Sequence, residues 1–319
     1  MESSGGGRPL VHALVAAVAV VGVTAAGSVY VQARAHSGPA PVSSASSLPP
    51  SPSPSSRSTA APSSVPSVSA PAAAREEEPV DPDELLHKGM ADVDVPSGAR
   101  VSVAVLDLGS GARAGYGTGT FDTASIVKVD ILAALLLRAQ DADRRLTAAE
   151  RAYATRMIES SDNDAASALW RDIGGAAGLD AANRRFGLMD TTGGDGGLWG
   201  LTRTTAADQL TLLRQVFEDD SKLSAASRAY LRGLMENVVA GQRWGVSAVP
   251  GGSSGWALKN GWLPRSTTGL WDVNSIGRVT SAGRSYLLAV LTDGTSTQER
   301  GITLAESAAR AAVAALAAG

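Results

Sequence analysis

Strand-like hairpins stand at both ends of the foldable sequence with only helical patterning between them, and few folds accommodate that order. RVSVAVLDL (100–108) alternates and is rich in β-branched residues. GSGAR (109–113) follows as a turn, and residues 114–118 return as a second strand. Near the other end, WDVNSIGRVT (271–280), the turn SAG and RSYLLAVLTDG (284–294) read as another hairpin. A helix follows over about Thr297–Ala318, with a Ser296-x-x-Glu299 capping box at its start and Gly319 at its stop. Between the hairpins, residues 126–138 are apolar on nearly all sides and predict a buried helix. Thr147-x-x-Glu150 opens another helix, and 164–173 and 205–217 are two more, with GGDGGLWG (193–200) as a glycine-rich loop. The expected class is α+β: one antiparallel sheet from N- and C-terminal strands, flanked by helices, with an all-helical domain inserted at about 122–240.

The first quarter of the chain does not belong to that core. Residues 10–31 are uncharged and long enough to span a bilayer, preceded by Arg8. Ala33-Arg34-Ala35 offers a cleavage pattern before His36, so residues 1–35 read as a cleaved signal or a retained membrane anchor. Residues 36–81 are a Ser/Pro/Ala-rich linker ending in an acidic stretch, too polar and too poor in apolar bulk to bury a core. The folded domain is expected at 82–319, outside the cytoplasm, either secreted or tethered at the outer face of the membrane.

Composition excludes several chemistries. The formal charge of −3 gives no basic footprint for nucleic acid. The absence of cysteine removes thiol nucleophiles, disulfides and Cys-ligated metals. The only histidines are His12, His36 and His87, so chemistry beyond residue 100 proceeds without imidazole, and a Ser-His-Asp triad or His-bound zinc is out. No metal or cofactor is expected.

The chain has four lysines among its 28 Lys and Arg residues, and one of them, Lys128, sits in the apolar run TASIVKVDIL. One helical turn separates it from Ser125. Burial disfavours an ammonium, so Lys128 can accept the proton of Ser125, which arginine cannot do. The plain alternative is a serine near a helix start and a lysine that reaches out to water. Ser161-Asp162-Asn163 precedes the helix at 164–173; its hydroxyl and amide suit proton relay and amide binding, or simply an N-cap. Lys259-Asn260-Gly261 reads as a strand edge where glycine permits close approach and lysine offers a cation, or as a turn. Chance co-occurrence of all three is roughly 0.007 per such chain.

In this order the three motifs resemble those of penicillin-recognising serine enzymes, most of all class A β-lactamases, over about residues 100–315. The resemblance implies Ser125 as the acylated nucleophile, Lys128 as its proton acceptor and Ser161 as the relay to the leaving nitrogen. It implies Asn163, Lys259, Asn260 and Gly261 as substrate-binding residues, and backbone N–H groups of Ser125 and Trp262 as the oxyanion hole. The expected reaction is hydrolysis of a β-lactam or related amide through a Ser125 acyl-enzyme. A D,D-carboxypeptidase acting on D-alanyl peptides, with peptidoglycan as partner, and a non-hydrolysing β-lactam sensor are the alternatives. Two departures bear on turnover. Asn260 replaces the family's usual Thr or Ser, and residues 170–205, where class A enzymes carry a deacylating glutamate, contain none. Asp190 and Asp195 are the candidate replacements. Trp199 and Trp271 read as packing residues, and Arg243 and Arg265 as surface cations.

Overall fold

A computed structural model describes residues 81–251 and 255–318. The expectations for residues 1–80 and for Gly319 lie outside the described residues. Strands β1 (Arg100–Asp107) and β2 (Arg113–Tyr116) form the N-terminal hairpin, with Val103 opposite Tyr116. Strands β5 (Ala257–Pro264), β6 (Trp271–Ser281) and β7 (Arg284–Thr295) complete an antiparallel sheet of order β2-β1-β7-β6-β5. The two ends of the domain meet where β1 pairs with β7, Ala104 opposite Ala289. The mixed α+β architecture inferred from patterning is thus the observed one.

Strand alternation divides the core. Ala104 and Leu106 face one cluster, while Val101, Val103 and Val105 face the other. The second cluster is covered by α1 (Pro82–Met90) and α8 (Gln298–Ala318), which buries Leu304, Ala308, Ala312 and Val313. The first continues into the helices between the hairpins. There α2 (Val127–Asp141) is buried nearly all round and packs against α3 (Ala148–Glu159), α4 (Asn163–Ile173), α5 (Gly175–Phe186) and α7 (Ala225–Met235). Helix α6 (Ala206–Phe217) packs on β7 and β1, and a short ribbon pairs β3 (Phe121–Asp122) with β4 (Arg203–Thr204).

Caps fix several of these boundaries. Thr147 and Glu150 form the reciprocal box at α3, with Glu150 N donating to Thr147 Oγ1 at 3.1 Å. Such a cap is worth about 1 kcal/mol. Asp162 caps α4 by accepting from Ala165 N at 2.6 Å, and Gly174 ends it with φ 95°. The cap of α8 differs from expectation. Thr297 Oγ1, not Ser296, accepts from Arg300 N at 3.2 Å, and the Ser296 hydroxyl accepts from Arg300 Nη1 at 3.2 Å. Helices α1, α5 and α7 are absent from the sequence reading.

Candidate active site

The segment before α2 is held from three directions. Asn274 Nδ2 on β6 donates to Asp122 O at 2.8 Å and Thr123 O at 3.1 Å, and Thr123 N donates to Thr202 O at 2.9 Å. The Asp122 carboxylate pairs with Arg203 and Arg265, so Arg265 is a structural ion-pair partner, not a free surface cation. Arg243 donates to Val238 O and lies over the Trp256 ring. The chain then forms a 3₁₀ turn, Ala124–Ile126, entered with Ala124 at φ 47°. Ala124 sits in left-handed backbone that costs a non-glycine residue roughly 1–2 kcal/mol. The turn leaves Ser125 the one residue between Phe121 and Leu137 that is not buried.

Lys128, on the first turn of α2, is fully buried. Its Nζ donates to Ser161 O at 2.6 Å, Ser161 Oγ at 3.1 Å and Asn163 Oδ1 at 2.8 Å. Ser161 presents both oxygens because its own backbone is left-handed, φ 58°. Three acceptors match the three N–H bonds of an ammonium, so in this arrangement no hydrogen remains for Ser125 Oγ. Burial nevertheless drives the amine down to about 7, against a smaller opposing pull from Asp162. Loss of one proton frees a lone pair.

Lys259 reaches the same hydroxyl from the sheet. Its Nζ donates to Ser161 Oγ at 3.0 Å and Asn260 O at 2.8 Å. Burial, and after it the charge of Lys128, holds this amine well below the ordinary lysine value. Ser161 Oγ therefore lies between two buried amines drawn from α2 and from the open edge of β5. Asn163 is exposed at the start of α4, and Lys128 donates to its side-chain oxygen.

Gly261 explains how β5 comes so close. A Cβ there would lie 2.6 Å from Ser125 N, 2.8 Å from Ile126 N and 2.9 Å from Thr123 O. Those are backbone atoms that cannot step aside. Gly261→Ala is expected to cost roughly 1–3 kcal/mol and to cut acylation by at least tenfold. Thermal melts beside acylation kinetics check this; a variant with unaltered kinetics contradicts it.

Asn260 does not serve the cleft. Strand alternation turns its side chain to the opposite face, where Nδ2 donates to Gln242 O at 2.8 Å and Trp244 O at 3.0 Å. Its Oδ1 accepts from Ser275 Oγ at 2.6 Å. Both amide hydrogens are used, so Asn260 anchors the 242–246 segment in place of the expected substrate contact. Trp262 follows on that same face, 5.9 Å from Trp244 between ring centroids.

The proposed deacylation bases also stand apart. Asp190 and Asp195 are exposed, and neither carboxylate hydrogen-bonds Lys128, Ser161 or Asn163. Asp190 is placed by its own N–H, which donates to Asp208 Oδ2 at 2.8 Å. The side chain from this stretch that reaches Lys128 is Trp199, its ring centroid 4.8 Å from Nζ, with Nε1 donating to Ser167 Oγ at 3.1 Å. Sequence reasoning gave Trp199 only a packing role and overlooked Asn274, whose polar side chain in a strand centre was the available signal. Among the described residues no cluster of His, Asp or Glu side chains is placed to hold a metal ion.

A serine at a helix start, two buried lysines sharing a second serine, and a sheet-and-helix frame around them define a penicillin-recognising serine enzyme fold. The chain belongs to the Beta-lactamase enzyme family, whose model matches residues 149–316, a span that includes Ser161, Asn163 and Lys259 and begins after Lys128. Among solved structures it is similar to PBP-A, with TM-score 0.64 and 22% identity over 74% of this chain and 97% of that one. It is also similar to a class A β-lactamase from Mycobacterium abscessus, with TM-score 0.60 and 21% identity over 74% and 99% of the two chains. Among curated relatives, "Putative lipoprotein LppW" of Mycobacterium tuberculosis is 30% identical over 175 residues, 52% of this chain and 55% of the relative. The chain thus spans about half the length of the curated relatives it matches.

Proposed function

We propose that the protein is a serine hydrolase that opens a β-lactam or related amide through a Ser125 acyl-enzyme and releases the acyl group slowly. The observation that carries this reading is the convergence of Lys128 Nζ and Lys259 Nζ on Ser161 Oγ beside an accessible Ser125. Neutral Lys128 removes the Ser125 proton as Oγ attacks the carbonyl carbon. Backbone N–H groups of Ser125 and Trp262 receive the developing oxyanion. The C–N bond then breaks, Ser161 passes its hydroxyl proton to the leaving nitrogen, and the proton held on Lys128 replaces it. A PBP-A variant has been captured as an acyl-enzyme with penicillin G, which supports the same first step here.

Release needs a base beside the ester. Trp199 stands over Lys128 from the stretch in which class A enzymes supply a carboxylate, and an indole cannot activate water. This favours a long-lived adduct, suited to an acyl trap or a peptidase inhibited by β-lactams, and work outside the cytoplasm is in keeping with the relative described as a lipoprotein. Acylation is expected to rise with pH and level off above an apparent pKa of about 7, because the reactive amine is the neutral one. Stopped-flow acylation between pH 5 and 9 tests this, and a flat profile removes Lys128 from the role of base.

A further inference from the structure

Trp199 also lines a cavity of about 480 Å³, which the acyl-transfer chemistry does not use. Two indoles wall it, Trp170 and Trp199, and the backbone of Gly196 and Gly197 leaves it open. A Cβ on Gly197 would meet nothing within 4 Å, and Gly197 has no left-handed backbone. Trp170 Nε1 donates to Gly196 O at 2.9 Å, which holds the glycine-rich loop against α4. Ser167 Oγ accepts from Trp199 and keeps its own hydrogen to donate. Arg171 lines the cavity, is exposed, and makes no ion pair among the described residues.

The cavity and the candidate active site share helix α4. Asn163, Ser167 and Arg171 follow one another at four-residue spacing along a single face of α4. The first of them bonds Lys128, and the other two line the cavity. Eight residues of helix span roughly 12 Å, a little over two turns. An acyl donor whose amide is held at Asn163 therefore finds flat apolar walls and a hydroxyl donor about one helix turn further on, and about two turns on a cation with no ion pair among the described residues.

We propose that this cavity is a subsite for the amide-linked arm of the acyl donor, and that it selects an extended arm ending in a carboxylate, with Arg171 as the charge partner. The proposal rests on the Ser125 acyl-enzyme reading and specifies its substrate class: acyl donors with an anionic side arm. Indole walls suit the chain of such an arm, and a charge-assisted hydrogen bond to guanidinium suits its end.

The test uses three penicillins on the intact protein: one with an adipoyl arm ending in a carboxylate, its terminal primary amide, and 6-aminopenicillanic acid, which has no arm. The acid is expected to acylate Ser125 about tenfold faster than the amide. Arg171→Ala is expected to erase that preference while leaving the rate with the amide within about twofold. Gly197→Phe, which adds a ring at the glycine wall of the cavity, is expected to slow both armed compounds by about tenfold and to spare 6-aminopenicillanic acid. Equal rates for acid and amide, or a preference that survives Arg171→Ala, overturn the subsite and leave the Ser125 reading standing. No acylation by any of the three overturns the Ser125 reading and the subsite together.

Discussion

Lys128→Met is expected to slow acylation of Ser125 by roughly 10²–10⁴-fold, the ordinary contribution of a positioned base, while the domain stays folded. Methionine matches the length of the lysine stem, and the site it enters is fully buried. What disappears is an amine whose charged form the burial already disfavours. The unfolded lysine titrates near its ordinary value of 10.5 and the folded one at about 7, so the unfolded chain binds more protons between those values. Wild-type stability from this group therefore falls as pH drops from 10.5 to 7 and falls no further below that. The methionine variant is expected to gain most over wild type at and below pH 7, and least near pH 10.5. Thermal melts across this range, beside stopped-flow acylation, separate the two effects. A variant that acylates within tenfold of wild type contradicts the assigned role.

The second large effect is a gain. Trp199→Glu is expected to shorten the lifetime of the acyl-enzyme by roughly 10²-fold, because it sets a carboxylate where the indole now faces Lys128. The variant gives up the Trp199 Nε1 bond to Ser167 Oγ and some packing in the loop, so a modest loss of melting temperature is expected with it. Timed intact-mass measurement of the adduct reads the lifetime directly. An unchanged or longer lifetime shows that Trp199 does not occupy the position of a deacylating base.

Legibility in the sequence followed the range of the interaction concerned. The hairpins, the Thr147–Glu150 box and α2 rest on local periodicity and capping, and the structure places them where the pattern does. The three motifs pointed to residues that meet in space, Lys128 and Lys259 at Ser161, although they come from separate parts of the chain. Helix α5 was hidden by Gly175 and Gly178, each costing about 1 kcal/mol of helix propensity, and it forms because Leu179, Ala182 and Phe186 bury their side chains. The apolar look of α2 concealed Asp130, which is fully buried with both carboxylate oxygens unpaired and is pushed up to about 8 by that burial. Asn260 was misread because its motif implies a ligand contact, while the pleat of β5 sends it to the other face. Asp190 and Asp195 were chosen by chemical type alone. The path of a glycine-rich loop has no periodicity to betray which of its side chains turns inward, and here it is Trp199.

Intact-mass spectrometry of the protein incubated with benzylpenicillin, beside a Ser125→Ala variant, reads acylation of Ser125 without intermediaries. A Ser125 acyl-enzyme gives a single adduct of the whole drug on the wild-type chain, persisting for many minutes, and none on the variant. An unmodified wild-type chain, or an equal adduct on the variant, contradicts it.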